Sequence, residues 1–77
     1  YPTEWCLGTD AEGYTYLLGY YGCYVLNKDM VPVMWIEEAN DVDLENRKVY
    51  ISWNKNYYEA PLYTVDELIE MAQSYNQ

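Results

Sequence analysis

Hydrophobic and polar positions along this chain follow two different periods. Through residue 53 the apolar residues fall in short runs: "WCL" (5–7), "YTYLL" (14–18), "CYVL" (23–26), "VPVMWIEE" (31–38) and "KVYISW" (48–53). These runs are rich in β-branched and aromatic side chains, which suit a pleated, half-buried surface. Turn clusters separate them. "GTDAEG" has glycine at both ends, "GYYG" supplies a bend or bulge, and "NKDM" closes a third turn. Pro32 stands near the start of its run, where a missing N–H is tolerated at a sheet edge.

Residues 41–53, "DVDLENRKVYISW", show the alternation most openly. Asp41, Asp43 and Glu45 alternate with Val42 and Leu44, and Val49, Ile51 and Trp53 alternate on the far side of "ENR". A hairpin follows, with the acids on its wet face and Val49, Ile51 and Trp53 pointing inward. In "YTVDELIEMAQSY" (63–75) the period becomes helical, and Val65, Leu68, Ile69 and Ala72 share one face. Thr64 and Glu67 make a T-x-x-E capping box, and Asp66 and Glu67 favour the positive end of the helix dipole. A helix this short is marginal alone in water, so it is expected to dock on the sheet.

These elements predict an α+β fold. Its sheet is small, curled and antiparallel, or a partly open barrel, with 4–6 short strands and one C-terminal helix. The 77 residues suffice for one domain, read as β-rich over 5–53, a loop over 54–63 and a helix over 64–75. At this size only about 60% of the unfolded chain's surface can be buried. Eleven Tyr and three Trp with no Phe suit such a thin protein, because these rings bury area while keeping a polar tip wet. They are also the usual anchors of interfaces.

Charge narrows the function classes. Thirteen acids face four bases, giving −9 with no His. A field of that sign repels DNA, RNA and anionic membrane and attracts basic surfaces. Lys28, Arg47, Lys48 and Lys55 all lie between residues 28 and 55, so both flanks carry acids only. No stretch approaches the roughly 20 apolar residues of a membrane span, and no basic-then-apolar leader pattern is read. Cys6 and Cys23, each in apolar surroundings, are expected to be free core thiols in a reducing, cytoplasmic setting. A single bridge between neighbouring strands is the alternative.

Catalytic and metal chemistry find little support. Without His there is no Ser-His or Cys-His pair, and no phosphate-binding glycine motif occurs. A glycosidase-like carboxylate pair would need a cleft that so small a chain lacks. "DVDLEN" opens like a calcium loop, but Asn46 takes the required Gly position and Ser52 stands where the twelfth-position Glu belongs. No cofactor, catalytic group or metal site is expected. The acids themselves are the candidate site: Glu37, Glu38, Asp41, Asp43, Glu45, Glu59, Asp66, Glu67 and Glu70, with Tyr57 and Tyr58 as anchors. Same-face neighbours on a strand lie about 6–7 Å apart, near the phosphate spacing along one nucleic-acid strand. The expected partner is therefore a basic protein surface, foremost the nucleic-acid-binding groove of a nuclease or similar enzyme. Direct binding of nucleic acid or membrane is not expected. A homodimer is a further expectation, through an exposed Tyr-rich edge strand.

Residues 31–63 also resemble the second half of a PRC-barrel domain, through Pro32, Ile36, Asp43, Val49, Tyr50, Ile51, Ala60, Pro61 and Tyr63. The resemblance covers under half the chain and implies a small β-barrel that docks other proteins, with no catalytic residues. In composition alone, the chain is similar to phage-encoded inhibitors of host nucleases and to bacterial immunity proteins that neutralise basic toxins. That similarity implies the cytoplasm of a bacterial or phage-infected cell.

Overall fold

The computed structural model describes residues 5–75. Seven strands precede one helix: β1 (Trp5–Thr9), β2 (Thr15–Leu18), β3 (Gly22–Leu26), β4 (Pro32–Glu37), β5 (Ala39–Asp43), β6 (Lys48–Trp53), β7 (Asn56–Pro61) and α1 (Val65–Tyr75). They form two antiparallel sheets, ordered β1-β2-β3-β4 and β5-β6-β7, and the sheets do not close into a barrel. Within each sheet the strands pair in sequence order, so each ladder needs only a short loop to close.

Side-chain carboxylates and amides build the turns. Asp10 Oδ1 accepts the N–H groups of Glu12 and Tyr14, both at 3.0 Å. Gly13 completes that turn at φ 93°, a conformation costly for a residue with a Cβ. Asn27 Oδ1 accepts from Asp29 and Val31 at 2.9 and 3.0 Å, and Asp43 Oδ1 accepts from Asn46 at 3.0 Å. Asn54 and Lys55, at φ 53° and 66°, form the two-residue connection whose twist matches the flanking strands.

The sheets meet at one residue. Glu38 separates β4 from β5 with φ 61°. Its N–H donates to the Tyr21 carbonyl at 2.7 Å, and its own carbonyl accepts from the Ser52 N–H at 3.1 Å. The chain thus turns a corner with both backbone groups of the corner residue paired. Beyond it, β5 packs on β2 and β3. The core between the sheets holds Tyr16, Cys23, Val25, Ala39, Val42, Val49, Leu62 and Val65. Burial pushes the Tyr16 hydroxyl well above the usual phenol range, and Asp10, which accepts its proton at 3.1 Å, adds to the shift.

Several expectations need correction. Residues 54–63 are not all loop, because β7 occupies 56–61. Trp53 keeps the phase of Val49 and Ile51 but is 60% exposed, at the end of β6 beyond the buried residues. Cys6 is exposed and only Cys23 is buried, where its thiol is pushed up to about 11. Both cysteines are free. The helix begins where the capping box places it: Thr64 N–H donates to Glu67 Oε1 at 2.9 Å, and Glu67 N–H donates to Thr64 Oγ1 at 3.2 Å. It does not lie down on a sheet, however. Val65 is its one buried residue, while Leu68 and Ile69 remain exposed.

Candidate functional site

The acids singled out by the sequence sort into three environments. The first is a groove of about 760 Å³ lined by Leu7, Asn40, Asp41, Val42, Asp43, Leu44, Glu45, Tyr50 and Tyr57. Asp41, Asp43, Glu45 and Tyr57 therefore come together, around a floor that includes Val42 and Leu44. Local geometry sets each one. A register shift between Ala39 and Asp41 turns the Asp41 side chain outward, where its Oδ1 accepts the Val42 N–H at 2.8 Å. Asp43 ends β5 and caps the 44–47 turn, accepting from the Asn46 N–H at 3.0 Å and the Asn46 amide at 2.9 Å. Those donors, with lesser help from Lys48, hold its carboxyl below the usual range. Glu45 sits in the turn itself, beyond the alternation expected for it, and is exposed.

The second environment neutralises charge within the chain. Lys48 pairs across the ladder with Asp43, but its ammonium swings to Glu59, 2.6 Å away, and that contact raises its pKa. Glu67 is held below the usual carboxylate range, first by the Thr64 N–H and then by Arg47. Arg47 ion-pairs with Glu67 and also donates to the Leu62 carbonyl at 3.3 Å. Asp66 accepts from the Tyr14 hydroxyl at 2.8 Å, and this bond raises the Tyr14 pKa. Thr64 Oγ1 in turn donates to Glu12 at 3.0 Å. Together these contacts clasp the first turn of α1 to the hairpins.

The third environment is dispersed. Glu37 and Glu38 stand at the corner between the sheets, Glu70 lies on the exposed helix, and Tyr58 faces away from Tyr57 on β7. None of the four lines the groove. The nine acids therefore do not form one continuous surface: three gather at the groove, and three others are committed to internal partners.

Tyr50 and Leu7 line the groove without having been foreseen. Tyr50 falls in the opposite phase from Val49 and Ile51, so the alternation of "KVYISW" placed it beside the acids. Leu7 arrives from β1, and nothing local in the sequence signals that. Among the described residues, no group of three or more His, Cys, Asp or Glu is arranged to hold a metal, and no helix is long and apolar enough to cross a membrane. No known family, curated protein or solved structure matches this chain.

Proposed function

We propose that this is a non-enzymatic acidic binding protein whose groove receives basic side chains of a protein partner. One observation carries the reading: Asp41, Asp43 and Glu45 line the groove with Tyr50 and Tyr57, and no Lys or Arg lines it. An arginine entering there would meet carboxylates able to accept in pairs and tyrosine faces on which a guanidinium stacks. The proposed partner is a nuclease or another DNA- or RNA-handling enzyme. Its basic groove has to attract phosphates, and a cluster of fixed carboxylates satisfies the same donors. An immunity protein that neutralises a basic toxin would use the same chemistry.

The test is affinity capture from the native host at low and high salt, using the wild-type chain and an Asp41→Lys/Glu45→Lys variant. The expected partner is basic, displaced by DNA or RNA, released by salt because screening acts over about 8 Å at physiological ionic strength, and lost with the variant. A partner held equally by the variant at high salt would remove the groove from the interaction. That result would favour the second reading, an adaptor akin to PRC-barrel domains that docks through apolar contacts. The exposed pair Tyr24 and Trp35, in tilted contact with ring centroids 4.5 Å apart and planes at 49°, supports that alternative.

A further inference from the structure

Helix α1 is firmly tied at one end and uncovered along the rest. The clasp of Thr64, Glu67, Arg47 and Asp66 holds its first turn. Beyond it, Leu68, Ile69 and Met71 are each more than a third exposed, and Tyr75 is 90% exposed. Eleven residues fall below the roughly 12–15 that an isolated helix needs to be stable in water. An apolar stripe on so short a helix calls for a cover.

A second uncovered apolar surface lies on the outer face of the four-stranded sheet. Leu17, Tyr24 and Trp35 stand directly opposite one another across β2, β3 and β4, Glu37 ends the same side of β4, and Val33, at the irregularity in the β3–β4 register, is half exposed next to them in sequence. No charged residue occurs within β1, β2 or β3, and Glu37 at the end of β4 is the first in the sheet. The Trp35 ring lies over Gly22, where a Cβ would come within 2.6 and 2.7 Å of it. That seat holds the edge of the ring against the β3 backbone.

We infer that the protein forms a twofold dimer in which α1 of each copy lies on the neutral outer sheet face of the other. The dimensions agree. The helix spans about 16 Å at 1.5 Å per residue, and the outer strands of a four-stranded sheet stand about 14 Å apart. Charge agrees as well. The helix acids Asp66, Glu67 and Glu70 all fall in its first six residues, and the centre of the sheet face is uncharged, with Glu37 at its β4 margin, so two chains of like charge approach through their least charged parts. The area is adequate too. The exposed parts of Tyr24, Trp35 and Tyr75 come to roughly 250–400 Å², at about 150–250 Å² per ring. Adding Val33, Leu68, Ile69 and Met71 brings the contact toward the roughly 800 Å² per partner of a standard interface. An isologous exchange uses both surfaces twice. It does not involve the acidic groove and stands independently of the proposed function.

Sedimentation of the full chain over a range of concentrations tests the exchange, together with Ile69→Asp on the helix and Val33→Lys on the sheet. Both positions are about half exposed, so the fold should survive, and circular dichroism checks that it does. The expected result is twice the monomer mass for the wild type and at least a roughly 30-fold weaker association for either variant, the loss typical of an interface hot spot. An equimolar mixture of the two variants should regain part of the association, because one intact helix–sheet contact survives in the mixed dimer. A wild type that stays monomeric at every concentration overturns the inference. So does a variant that still dimerises: Val33→Lys would do so if helices paired with helices, and Ile69→Asp if sheets paired with sheets. Hydrogen exchange on the wild type gives a reading independent of the variants. Amides of residues 68–75 should become protected as concentration rises, and unprotected exchange at all concentrations overturns the proposal.

Discussion

The outer faces of the two sheets differ in almost every property. The face of β1-β2-β3-β4 carries Leu17, Tyr24 and Trp35, with Val33 exposed beside them and Glu37 as its one charge at the end of β4. The face of β5-β6-β7 carries Asp41, Asp43, Lys48, Tyr50 and Glu59 in adjacent register positions. A net charge of −9 is therefore a poor description of either surface. One face is nearly neutral and aromatic, the other densely charged but partly balanced within itself. Net charge governs long-range encounter, whereas the local distribution decides what can dock. Two surfaces of such different chemistry are suited to two kinds of occupant.

Gly22→Val should break the neutral face most severely. Its side chain would collide with the Ile36 carbonyl and the Trp35 ring, and overpacking against backbone costs about 1–3 kcal/mol or more. Chemical denaturation measures this loss; a change within 0.5 kcal/mol would mean that the ring is not seated as described. Asp10→Ala comes next, since it removes the acceptor for two turn amides and strands the buried Tyr16 hydroxyl. About 1–3 kcal/mol is the usual cost of such an unpaired group. Repeating the substitution on a Tyr16→Phe background should recover part of it, and full additivity would show that the hydroxyl does not depend on Asp10.

The smallest effect belongs to the charged side. Thr64→Ala should cost about 1 kcal/mol as a lost helix cap. The acid response tests its partner in the cap, Glu67, whose carboxyl is held low mainly by the Thr64 N–H and Arg47. Glu67 has a lowered folded pKa, so its contribution is present above the unfolded carboxylate value near 4.3 and fades as pH falls through the lowered folded value. Asp43 behaves the same way. Thermal midpoints followed from pH 7 to pH 2 should therefore fall less steeply for Glu67→Gln, which removes the titrating group, than for the wild type. Parallel curves would show that the folded Glu67 carboxyl is not held below its unfolded value.

Features that rest on local chemistry were legible in the sequence. The capping box, the turn at Asp10 and the hairpin around "ENR" each depend on residues within a few positions of one another, and they occur where the pattern puts them. β7 was not legible, because "NYYEAP" lies at an edge with five of its six residues exposed and so carries no buried alternation. The helix misled for a related reason. Its stripe announces a contact, but whether the same chain supplies that contact depends on tertiary geometry. Asp41, Asp43 and Glu45 were visible as a cluster. That Arg47 would be drawn to Glu67, twenty residues away, and so leave the groove acidic was not.

Glu38 gives the molecule a mechanical property. With its N–H bonded to the Tyr21 carbonyl beside β3 and its carbonyl to the Ser52 N–H of β6, a single residue paired on both sides joins the two sheets. The acidic groove and the neutral face are thus held at a constant angle, like two jaws of a bracket. In a twofold dimer built on the neutral faces, both grooves would stand at a set separation and orientation. A target presenting paired basic sites at that separation would be gripped at both ends at once. Its residence time would then multiply through the high effective concentration of the second site, while a target with one site would be released quickly.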